Sequence, residues 1–114
     1  MLLTAFLEKL NVASEAVTFD DTIAAIEENY TFTETAFTNG DTKNEAGQNN
    51  GSCKIFAFGR LNNLTEEQTL HCFGDYYRKD VLGNPGGDDH QNIRNFIQSG
   101  WGGIYFDGEA LAVK

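Results

Sequence analysis

From Gly86 to Arg94 the chain reads Gly-Gly-Asp-Asp-His-Gln-Asn-Ile-Arg, placing two carboxylates, an imidazole, two amides and a guanidinium within nine positions. Residue type alone points to metal ligation, but the spacing argues against it. Asp88, Asp89 and His90 are successive, so at a helix start they point in different directions, and partners such as Asp107 or Glu109 would have to complete a shell. Helix capping and surface hydrogen bonding are the preferred reading, and no metal or cofactor is assigned. A phosphate site on Gly86 and Gly87 fails on charge. A helix N-terminus offers about half a positive charge against the two negative ones of Asp88 and Asp89. His90 is expected to be neutral or bonded to a nearby acid, and Arg94 to reach Asp80 or Asp107 as a tertiary clamp.

A second polar concentration runs from Asn39 to Gly51 and contains Asn44, Glu45, Gln48 and Asn49. It reads as a loop too long for a two-residue hairpin turn, and loops of about 12 residues or more are often recognition elements. The plain alternative is an exposed connection. Cys53 could meet His71 or His90 as a thiol and imidazole pair, but no nucleophile motif surrounds it, and Cys72 reads as a buried small hydrophobe. Asn44, Glu45, Gln48, Asn49, Asp89, His90 and Arg94 are thus the candidate binding residues, with no catalytic set. Two functions compete, beside the plainer reading that these residues only specify the fold. One is a non-enzymatic interaction module presenting both segments to a protein partner. The other is a small enzyme or ligand binder using Glu45, Gln48, Asp88, His90 and Arg94 in a shared pocket.

The elements that would position these groups are marked by periodicity and caps. Leu3, Phe6, Leu7 and Leu10 form one stripe of a first helix. Thr18 with Asp21 opens a second, carrying Phe19, Ile23, Ile26 and Tyr30, and a strand from Thr31 to Thr38 follows. Cys53 to Phe58, apolar on both alternating sets, suggests an internal strand paired with it. Thr65 with Gln68 starts a third helix whose face is Leu70, Phe73, Tyr77 and Val81, with Gly74 marking a close approach. Asn84-Pro85-Gly86-Gly87 suits a type II turn. Asp88, with Gln91 in the box position, caps a fourth helix that ends at Gly100, where Trp101 should meet Phe96. Ile104 to Phe106 forms the next strand, and Asp107-Gly108 turns into the final segment. The class is α+β, a small, mainly antiparallel sheet of about three strands covered by about four helices. A sheet curled toward a barrel is the alternative.

The 114 residues suffice for a single domain spanning 1–114. The net charge of −9 is concentrated in residues 1–50, with nine acids against two bases. Such a surface repels phosphate backbones and anionic lipid, so nucleic acid and membrane are not expected partners. No apolar run approaches the length of about 20 residues that a membrane helix needs, and the start from Met1 to Phe6 lacks the basic flank of a signal peptide. Two cysteines without zinc spacing suit reduced, intracellular thiols. Oligomeric state is not legible.

The runs YYRKDVL, NPGGDDHQNIRNF and GWGGIYFDGEAL, with the earlier NEAGQNNGSCKIFAF, resemble the HopJ type III effector family over nearly the whole chain. The resemblance implies a bacterial source, and a cytoplasmic protein that type III secretion delivers into a host plant cell. It implies no catalytic residues. Delivered effectors usually begin with a flexible, Ser-rich leader, whereas here an amphipathic helix is expected almost from Met1.

Overall fold

The structure, a computed structural model, describes residues 3–114. Met1 and Leu2, part of the stretch read against a signal peptide, lie outside the described residues. Helix α1 (Leu3–Val12) buries Phe6 and Leu10 from its expected stripe. Helix α2 (Phe19–Asn29) starts with the expected capping box: the Thr18 side chain accepts from the Asp21 N–H while the Asp21 carboxylate accepts from the Thr18 N–H. Burial pushes the Asp21 carboxyl up, but hydrogen bonds from Lys9 and from Thr18 outweigh it, so its pKa lies below the ordinary value.

The expected strand from Thr31 to Thr38 divides into β1 (Tyr30–Phe32) and β2 (Phe37–Asn39), which belong to different sheets. Phe32 and Phe37 have opposite parity, so a straight strand would send them to opposite faces, yet both pack on the core. The chain must therefore bend between them, and the Thr35 hydroxyl helps by donating to the Thr33 carbonyl at 2.8 Å. The stretch expected as a long loop also has regular structure. Asn39 pairs with Thr42 across a two-residue turn, with Gly40 at φ +61°, and β3 (Thr42–Asn44) runs back along β2.

The largest correction concerns Cys53 to Phe58, which lies in α3 (Asn50–Leu61) and not in a strand. A short run apolar on all sides suits a buried helix as well as a buried strand, and periodicity does not separate them. Cys53 and every residue from Ile55 to Gly59 are buried, with α2, α4 and β5 packed around the helix. The partner of β2 is consequently β4 (Ile104–Phe106), giving a sheet ordered β3-β2-β4, while β1 pairs with β5 (Leu111–Val113). Among the described residues all pairings are antiparallel, both sheets are open and the strands number five, so the α+β class holds and the barrel alternative does not.

The third predicted helix begins with the expected capping box of Thr65 and Gln68 but breaks into α4 (Glu66–His71) and a π-helical segment (Tyr76–Val81). Gly74 at φ +63° makes the break, and a Cβ there would lie 2.6 Å from the Phe19 nitrogen, the close approach expected of it. The next turn is closed by the Gly87 N–H on the Asn84 carbonyl at 3.0 Å. Gly86 does not take positive φ, so this is not the expected type II turn. Helix α5 (Gln91–Ser99) starts three residues later than its apparent cap: Asp88 is not the N-cap, and Gln91 donates to the Asp88 carbonyl at 2.7 Å instead of closing a box. At its other end Gly100 takes φ +61°, and the Phe96 and Trp101 rings meet edge to face at 5.0 Å, as expected. The buried apolar residues form one cluster, with Phe56 against Phe37, Phe73 and Phe96.

Candidate functional site

The N-terminal ends of α3 and α5 open onto one cleft of about 460 Å³, bounded by β3 on one side and by Phe19, Phe73 and Tyr76 on the other. At and beneath its floor lies a set of amides, of which Asn39, Asn44 and Asn92 are buried. Asn92 Oδ1 accepts from Asn39 at 3.0 Å and from Asn44 at 3.2 Å, while Asn92 Nδ2 donates to Asn44 Oδ1 at 3.0 Å. Asn39 also donates to the Asn92 carbonyl at 2.8 Å, and Asn49 donates to Asn44 Oδ1 at 2.7 Å. Each element contributes for a local reason. Asn39 ends β2, Asn44 ends β3, Asn49 precedes α3 and Asn92 lies in the first turn of α5, so one amide cluster ties four chain segments together. These amides bond one another, leaving Asn39 Oδ1 buried without a hydrogen-bond partner among the described residues, and the network holds the groups above it in place.

Two residues at the rim stand in the left-handed region, Asn49 at φ +53° and His90 at φ +50°. Each is the N-cap of its helix, and neither side chain caps it. Asn49 is turned to the floor, while the His90 ring lies 3.0 Å from Asp80 through Nε2, 3.8 Å from Asp89 and 5.1 Å, centre to centre, from Tyr76. The acid beside His90 expected from sequence is thus Asp80. The π-helical segment supplies both Tyr76 and Asp80, and its widened turn is a feature frequent at functional sites. Tyr76 also meets Phe19 edge to face at 5.1 Å.

Of the sequence candidates, Asn44, Asn49 and His90 come together in this cleft. Glu45 and Gln48 lie outside its lining, exposed, where the Glu45 N–H donates to Gln48 Oε1 at 3.1 Å across a tight turn. Arg94 faces the other side of α5. It pairs with the Asp89 carboxylate and donates to the carbonyls of Asp89, Asn84 and Pro85 at 2.6, 2.9 and 3.3 Å. The clamp exists, but Asp89 takes the place of the expected Asp80 or Asp107, because the loop from Asn84 to Asp89 folds back over α5. The Arg94 hydrogen bond holds the Asp89 carboxyl below its ordinary pKa. The expected presentation of the stretch from Asn39 to Gly51 also narrows, since Asn39 and Asn44 are buried.

Sequence reasoning passed over Phe19, Thr42, Ser52, Tyr76 and Asn92, all in the lining. One signal was present. Asparagine is depleted in strands, so Asn39 and Asn44 flanking a turn mark positions held for hydrogen bonding and not for propensity. Neither thiol enters the cleft, and burial pushes Cys53 up to about 11 and Cys72 up to about 12. Among the described residues no helix is long and apolar enough to cross a membrane.

Fold and cleft together define a small α+β protein with one amide-floored, aromatic-walled recess. The family model described as HopJ type III effector protein matches residues 3–111, and the chain belongs to the HopJ type III effector family. Among solved structures it is similar to one titled "Crystal structure of unknown function protein VPA0580". That chain is 57% identical, with a TM-score of 0.99 over 100% of this chain and 95% of that one. A search of the curated proteins finds no match.

Proposed function

We infer that this effector-family protein is a non-catalytic binding module whose recognition site is the cleft between the starts of α3 and α5. The observation that carries the reading is the convergence of Asn44, Asn49 and His90, from two distant stretches of sequence, on one preorganised recess. Pockets of about 300 to 1,000 Å³ with aromatic walls and a few placed polar groups are the usual form of ligand sites. Catalysis by thiolate gains no support, because both cysteines stay protonated near neutral pH. His90 is engaged by Asp80, and among the described residues no hydroxyl or thiol is hydrogen bonded to its ring in the pattern of an activated nucleophile. The exposed rim, Glu45 to Gln48 with Asp88 and Asp89, is the surface a host protein would meet. Family membership supports delivery into a host cell by type III secretion.

A fragment screen by ligand-observed NMR tests the site. Fragments that bind are expected to lose their signal with Tyr76→Ala, and hits that persist in that variant place binding elsewhere. A translocation reporter fused to the chain tests delivery: signal in host cells should require an intact secretion apparatus.

A further inference from the structure

We propose that the cleft takes a neutral, hydroxyl-rich ring, a single sugar residue or the end of a short oligosaccharide. The proposal rests on the binding-module reading above and names its ligand class.

Charge narrows the class first. Among the described residues the lining contains no Asp, Glu, Lys or Arg, and His90 is its one titratable group apart from the phenol of Tyr76. Directly behind His90 stand Asp80 at 3.0 Å and Asp89 at 3.8 Å, and the whole chain carries −9. An anionic ligand would meet a negative surface with no guanidinium or ammonium to hold it, and a cation would find no carboxylate in the wall.

The unspent hydrogen-bonding groups narrow it further. The floor amides of Asn44 and Asn92 are largely consumed by each other and by Asn39 and Asn49. What remains is a mixed set. Among the described residues the Ser52 hydroxyl has no partner, and Thr42 accepts from Asn95 at 2.7 Å, which leaves its O–H to donate. Asn49 and Gln91 each engage the amide nitrogen, with Asn44 and with the Asp88 carbonyl, which leaves the amide oxygens to accept. Two hydroxyls and two amide oxygens around one recess match a ligand whose groups donate and accept in turn, as alcohol hydroxyls do.

The wall completes the match. Tyr76 is 44% exposed, and with Phe19 and Phe73 it gives the recess an apolar aromatic side. A pyranose ring has hydroxyls at its edge and C–H groups on its faces, so it can use the polar rim and the aromatic side together. A peptide added as a further strand would need a longer sheet edge, since β3 has only three residues.

Isothermal titration calorimetry and saturation-transfer NMR on the full chain test this with glucose, N-acetylglucosamine, cellobiose and maltose. A blocked neutral tripeptide and inorganic phosphate serve as the other arms. At least one sugar is expected to bind, weakened about tenfold or more by Tyr76→Ala and by Ser52→Ala, and less than about threefold by Tyr76→Phe. Circular dichroism confirms that each variant is folded. If no sugar binds at millimolar concentration, or if both alanine variants bind it as well as the parent, the sugar proposal is overturned. If the tripeptide or phosphate binds instead and depends on Tyr76, the sugar class falls while the binding module stands. If no probe or fragment depends on Tyr76 or Ser52, both fall.

Discussion

Asn92→Ala should cost about 2 to 3 kcal/mol of folding stability although the residue lies in the floor of a cleft. The substitution removes three side-chain hydrogen bonds, to Asn39 at 3.0 Å and to the two ends of the Asn44 amide at 3.2 and 3.0 Å. Two of the partners keep something: Asn39 retains the Asn92 carbonyl at 2.8 Å, and Asn44 Oδ1 retains Asn49 at 2.7 Å. Asn44 Nδ2 is left with only a 3.5 Å approach to the Phe37 carbonyl. At a net value of about 1 kcal/mol for each neutral bond the loss is about 3 kcal/mol, and water entering from the cleft lowers it toward 2. For a chain of this size that is a fall in Tm of about 8 to 12 °C. Trp101, the single tryptophan, packs on Phe96 and reports urea unfolding by its fluorescence. The midpoint should drop with the slope unchanged. A double-mutant cycle with Asn44→Ala should show coupling of about 1 to 2 kcal/mol. A loss under about 1 kcal/mol, or strict additivity, would refute the claim that the amides act as one structural unit.

Gly74→Ala places a Cβ 2.6 Å from the Phe19 nitrogen at φ +63° and should cost about 2 to 3 kcal/mol in a thermal melt; near-parental stability would mean that the α2 contact is not tight. Both thiols should resist a disulfide reagent at pH 8 until urea unfolds the chain, because burial raises Cys53 to about 11 and Cys72 to about 12; rapid labelling of the native protein would contradict that. His71 has its pKa lowered from 6.5 by burial and by Arg78, whose guanidinium lies 3.1 Å from Nδ1, so the unfolded chain takes up the proton first as pH falls. Its contribution to stability is therefore full above about 6.5 and is lost as pH falls through the lower native value. The parent should lose stability relative to His71→Gln as pH falls below about 6.5, and parallel profiles would count against it.

Legibility from sequence followed how local the determining interactions are. The boxes at Thr18 and Thr65 and the Phe96 to Trp101 contact each involve residues within five positions, and each was readable. The identity of α3 was not, because Ile55, Phe56 and Phe58 are buried by α2, α4 and β5, and their apolar character says only that something covers them. The pairing of β2 with β4 depends on contacts across more than sixty residues, which alternation does not encode. The cleft was half legible for the same reason. Its polar residues stood out in two sequence clusters, whereas Phe19 and Tyr76 looked like ordinary apolar positions of helices.

The capping pattern separates scaffold from site. Helices α2 and α4 carry reciprocal capping boxes, and the sequence placed their starts correctly. Helices α3 and α5 carry no side-chain cap, and their N-cap residues, Asn49 and His90, sit at positive φ that costs a non-glycine residue about 1 kcal/mol or more. Asp88 is a good cap on paper, so the sequence pattern puts the start of α5 too early, but the brace of Arg94 on Asp89, Asn84 and Pro85 holds that loop in another conformation. Among the α-helices whose N-caps are described, the two that break the local rule are the two whose first turns line the recess. Asn49 is kept there by its bond to Asn44, and His90 by Asp80 and the Tyr76 ring. If the αL conformation at these positions served only chain reversal, glycine at position 49 or 90 would relieve the strain without consequence. The side chains present are instead the ones that close the amide floor and set the imidazole beside Tyr76, so the strain is tied to the contents of the cleft and not to the path of the backbone.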